Sequence, residues 1–60
     1  MTSILIVEDE ALIAADLRAR LEGIGYDVVG VGGDGWKALR LIAEKRPDLV
    51  LMDIVLRGRN

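Results

Sequence analysis

The sequence predicts an α/β fold, a parallel sheet with helices on its faces. Three observations carry that expectation. Three short runs are rich in aliphatic and β-branched residues and end in polar or glycine-rich stretches. Two intervening segments switch to apolar spacings of three and four residues. The strict alternation of the two kinds of segment implies parallel strands joined by right-handed crossovers.

The elements follow in order. Ser3–Val7 is a buried strand that ends at Glu8, Asp9 and Glu10. Residues 11–22 form an amphipathic helix whose stripe is Ile13, Leu17, Leu21 and Ile24, and Gly23 and Gly25 stop it. Residues 27–31 form a second strand. Asp34 is placed to cap a second helix over Gly35–Lys45. Ala38, Leu39 and Ile42 are its apolar stripe, Lys45 and Arg46 suit its C-terminus, and Pro47 ends it. Residues 49–56 form a third strand, apolar except for Asp53. Trp36, at the start of the second helix, is expected to be half-buried over a sheet edge.

Composition narrows the chemistry. The chain has 60 residues, 52% of them apolar, with 8 basic against 10 acidic side chains and a net charge of −2. That composition belongs to one small globular domain, not a disordered tail. Cysteine and histidine are absent, so a disulfide frame, a zinc site, a thiol nucleophile and a histidine base are excluded. The slight acidity gives no footprint for nucleic acid or an anionic membrane, and Arg57-Gly58-Arg59 is too little charge to supply one. Apolar runs fall far short of a bilayer span. No basic region precedes Glu8, so a leader is not expected and the expected location is the cytoplasm. A domain near this size buries only about 60% of the surface its unfolded chain exposes, so self-association or a further segment is expected.

The acids carry the functional signal. In an open parallel sheet, ligands bind beyond the carboxyl ends of the strands, where the strand order reverses. Glu8 and Asp9 follow the first strand, and Asp53 interrupts the third. If the first strand lies between the other two, Asp9 and Asp53 become neighbours. Carboxylates gathered in one crevice require a proton or a hard cation. Oxygen ligands in small number suit Mg²⁺, which also recruits phosphate oxygens. A carboxylate beside Mg²⁺ is a potential phosphoryl acceptor. Asp53 is the strongest candidate, because burying an uncompensated acid in an apolar strand is costly.

These residues resemble the N-terminal half of the receiver domain of two-component response regulators. The resemblance rests on Ile4-Leu5-Ile6-Val7-Glu8-Asp9-Glu10, Leu21-Glu22-Gly23-Ile24-Gly25-Tyr26 and Arg46-Pro47-Asp48-Leu49-Val50-Leu51-Met52-Asp53. It implies a flavodoxin-like, doubly wound parallel sheet with the first three strands in order 2-1-3. Residues 1–60 then read as a partial receiver domain, truncated after its third strand. Asp53 matches the phosphoacceptor, Asp9 a Mg²⁺ ligand, Glu8 an acid acting through water, and the Val55 backbone carbonyl the third protein ligand. The implied partner is a sensor histidine kinase or phosphotransfer protein. The implied role is that of a phosphoacceptor protein, not an enzyme. Receivers usually carry Leu-Pro where this chain has Leu56-Arg57, which leaves a free φ and an extra N–H donor after the metal-binding carbonyl.

Two other readings remain. Residues 30–35 satisfy G-x-G-x-x-G after a strand and before a helix, and Asp53 lies 18 residues beyond Gly35, so a dinucleotide-binding β-α-β unit is the rival. The third strand also forms an apolar edge without the lysine or proline that usually blunts one. That edge leads us to expect a homo-oligomer pairing through residues 49–56, including a structural oligomer without signalling activity.

Overall fold

The computed structural model describes residues 1–52. They form β1 (Ser3–Val7), α1 (Ala11–Gly23), β2 (Asp27–Gly32), α2 (Gly35–Lys45) and β3 (Leu49–Met52). All five expected elements occur in the expected order. Residues 53–60, with Asp53, Val55 and the rest of the expected third strand, lie outside the described residues.

The sheet is parallel with order β2-β1-β3. β1 is central because its residues bury on both faces; Leu5 and Ile6 are fully buried. On the α1 face, Ile4, Ile6 and Val28 form a core against Leu17, Leu21, Tyr26 and Val31. On the other face, Leu5 meets Leu41 of α2 across Gly30. The β1–β2 register slips between Ile4 and Leu5, so that Leu5 pairs with Gly30 and not with Val29. This bulge brings Gly30 and Gly32 under α2.

The helix stripes depart from expectation in detail. In α1 the inward residues are Ala14, Leu17 and Leu21, while Ile13 and Ile24 are exposed. Residues 14, 17 and 21 lie on one face at 3.6 residues per turn, and Ile24 has already left the helix as its C-cap. In α2, Ala38 is buried and Leu41 and Ile42 are half-buried, but Leu39 is exposed. Trp36 is 82% exposed and does not cover a sheet edge. With Leu39, Ile42 and Met52 it lines an apolar groove between α2 and β3. The four residues of β3, expected to form an apolar edge, are 39–54% exposed. Both helices pack on β1 and β2, and neither packs on β3.

The connections follow from local chemistry. Asp34 caps α2, its side chain accepting from the Lys37 N–H at 2.8 Å. Gly25 follows α1 with φ of 102°, a conformation that a Cβ disfavours. Arg46 closes α2 in the left-handed region at φ 47°, its N–H donating to the Ile42 carbonyl. No helix among the described residues is long and apolar enough to cross a membrane.

Candidate functional site

The carboxyl ends of β1 and β3 lie side by side, because Val7 pairs with Met52. This is the adjacency on which a shared acidic site depends. Glu8 follows Val7 directly, and Asp53 follows Met52 in the chain, outside the described residues.

Glu8 is 4% exposed, the single buried charged residue among those described. Its backbone N–H donates to the Gly32 carbonyl at 2.9 Å, continuing the β1–β2 ladder by one step. Its Oε2 accepts from the Glu10 N–H at 3.0 Å. Its Oε1 is buried and has no hydrogen-bond partner among the described residues. A buried carboxylate oxygen without a partner is costly; a proton or a cation relieves the cost. Asp9, next in the chain, is exposed. Among the described residues alone, no three acidic side chains gather into a metal-binding group. The remaining members of the expected set, Asp53 and the Val55 carbonyl, lie outside the described residues. The donors within them are hard oxygens, one of them an orphaned buried carboxylate oxygen, and both properties suit Mg²⁺.

Sequence reasoning ranked Glu8 below Asp53, because an acid just past a strand is usually solvated. Its burial depends on the loop after β1 folding back, with Glu10 N–H bonded to the Glu8 side chain, and no residue pattern announces that turn.

The glycine-rich rival loses its loop. Gly30 and Gly32 belong to β2, not to a phosphate-binding turn. A Cβ on Gly32 would lie 3.2 Å from the Ala38 backbone, and one on Gly30 would lie 3.1 Å from Leu5 Cδ1. Both glycines therefore let α2 approach the sheet closely. At the start of α2, Asp34 already takes up the Lys37 N–H that an anion would need.

The sequence matches the response regulator receiver domain over residues 4–60. The chain belongs to this family. As a receiver it is 52% identical over 56 residues to the phyllosphere-induced regulator PhyR of Methylorubrum extorquens, covering 92% of this chain and 21% of PhyR. It is 47% identical over 57 residues to the transcriptional regulatory protein PdtaR of Mycobacterium tuberculosis, covering 95% of this chain and 28% of PdtaR. The receiver thus spans less than a third of these curated relatives. Among solved structures it is similar to the signal receiver domain of a modulated diguanylate cyclase from Desulfovibrio desulfuricans, described as an example of alternate folding. That match has a TM-score of 0.87 and 50% identity, covering 97% of this chain and 46% of the other.

Proposed function

We propose that this receiver accepts a phosphoryl group on Asp53 from a phosphohistidine of a sensor kinase or phosphotransfer protein. The observation that carries the reading is the buried, orphaned Glu8 carboxylate at the end of β1, next to β3, in a chain of this family. Mg²⁺ would be held by Asp9, Asp53 and the Val55 carbonyl, with Glu8 acting through water. Bound there, the ion supplies positive charge against the equatorial phosphoryl oxygens. An Asp53 carboxylate oxygen forms the new P–O bond while the donor's P–N bond breaks, and the leaving imidazole takes a proton from solvent. The β1–β3 register supports this reading, because it pairs Val7 with Met52, the residues that precede Glu8 and Asp53 in the chain. The receiver acts as an acceptor and not as a turnover enzyme.

The experiment is incubation with acetyl phosphate and Mg²⁺, read by intact-mass spectrometry. The expected result is a single phosphoryl adduct, absent in Asp53→Asn and absent when Mg²⁺ is chelated. A wild-type chain that never gains the mass overturns the proposal.

A further inference from the structure

Ser3 and Asp48 face each other one step before Ile4 and Leu49, the first pair of the β1–β3 ladder. Their contacts are reciprocal. The Ser3 N–H and the Ser3 hydroxyl both donate to Asp48 Oδ2, at 2.8 and 3.1 Å. The Asp48 N–H is shared between Ser3 Oγ at 2.9 Å and the Ser3 carbonyl at 3.0 Å. The serine hydroxyl thus donates and accepts at once, which an aliphatic residue in its place could not do.

These contacts mark one register among several that apolar packing tolerates. Leu49-Val50-Leu51-Met52 is aliphatic throughout, so a slip along β1 exchanges like for like on both faces. On the β2 side the register is held differently, by the bulge and by Gly30 and Gly32 under α2. Sliding β3 inward sets Asp48 against Ile4 or Leu5, which carry no hydroxyl. Sliding it outward carries Asp48 past the first residue of β1. Each step moves the strand about 3.3 Å. Mg²⁺ holds its oxygen ligands at about 2.0–2.1 Å in a near-ideal octahedron, so a single step exceeds what a cation shared between the strand ends tolerates.

We infer that the Ser3–Asp48 pair sets the register of β3, and that both are positioning residues for phosphoryl transfer. Ser3 does this from the other end of β1, about 16 Å along the strand from Glu8. The register they select pairs Val7 with Met52, the residues that precede Glu8 and Asp53 in the chain. The inference rests on the proposed transfer to Asp53. Both residues act through the strand and not on the phosphoryl group.

The chain has no cysteine, so engineered pairs report register without interference. Val7→Cys with Met52→Cys tests the native pairing, where facing strands lie about 4.8 Å apart, within disulfide reach. Val7→Cys with Val50→Cys reports a slip of two residues; in the native register these positions are about 8 Å apart, beyond that reach. Ser3→Ala and Asp48→Ala remove solvent-exposed hydrogen bonds, so the fold survives them. Each should lower the ratio of native to slipped cross-link about fivefold. In the cysteine-free chain each should gain the phosphoryl adduct from acetyl phosphate roughly tenfold more slowly, with circular dichroism unchanged. Ser3→Thr keeps the hydroxyl and should match wild type in both measurements. A role in stability alone leaves the ratio unchanged, and an unchanged ratio overturns the inference. So does a shifted ratio with the adduct rate of wild type. A wild type that forms the native cross-link but never gains the adduct fails the transfer reading and takes the positioning role with it, whereas an unchanged ratio fails the Ser3–Asp48 pair alone.

Discussion

Glu8 shows how one side chain links folding to chemistry. Its backbone extends the sheet by one hydrogen bond, and its side chain turns back to accept from Glu10. One carboxylate oxygen is left buried without a partner among the described residues. Glu8→Gln keeps the shape and removes the charge, so it should weaken Mg²⁺ binding by about 10–100-fold, the usual cost of losing an outer-shell ligand. The Mg²⁺ dependence of the thermal midpoint measures this, and an unchanged dependence would remove Glu8 from the cation site. Arg46 is the opposite case, a residue whose backbone is unfavourable where it stands. At φ 47° it occupies a region that glycine tolerates without strain. Arg46→Gly should therefore raise stability by about 0.5–1 kcal/mol, net of the added freedom of the unfolded chain. Urea unfolding gives the difference, and a loss of stability would show that the arginine side chain contributes more than its strained backbone costs.

Among the described residues neither helix packs on β3, and at the level of elements the strand depends on its start. Asp48 and Ser3 clasp the two strands: Ser3 N–H and Oγ both reach Asp48 Oδ2, at 2.8 and 3.1 Å, while the Asp48 N–H donates to Ser3 Oγ at 2.9 Å. The bond from the Ser3 backbone N–H, then that from its hydroxyl, holds the Asp48 carboxyl below its usual value of 3.8. A lowered pKa means that the folded state favours the charged form. The stabilisation is therefore fully present above pH 3.8 and is lost as the pH falls through the depressed value. Asp48→Asn should abolish this part of the acid dependence and leave the rest, as read from urea midpoints across that window; an unchanged acid limb would mean the clasp contributes nothing. The clasp was not legible in the sequence, because it joins residues 45 apart. The five elements were legible, because period and punctuation are local. The exposure of β3 follows from its place at the edge of the described sheet, which the order 2-1-3 implied. Trp36 and Leu39 depart from expectation because the described residues cover their flank of α2 only in part.

Across the whole molecule, stability grades outward from β1. Leu5 and Ile6 are fully buried in a strand paired on both edges, whereas among the described residues β3 is paired on one edge and packed by neither helix. Glu8 therefore follows the most buried strand, whereas Asp53 follows the more exposed one in the chain. Hydrogen exchange measures the gradient directly. Amides of Leu5 and Ile6 should exchange only through global unfolding. Along β3 the amides should split by alternation: those pointing to β1 should exchange through local opening, and those pointing outward should exchange near the rate of an unstructured peptide. Uniform protection along β3 would show that its outer edge is already covered, and the outward gradient of stability from β1 would then not hold.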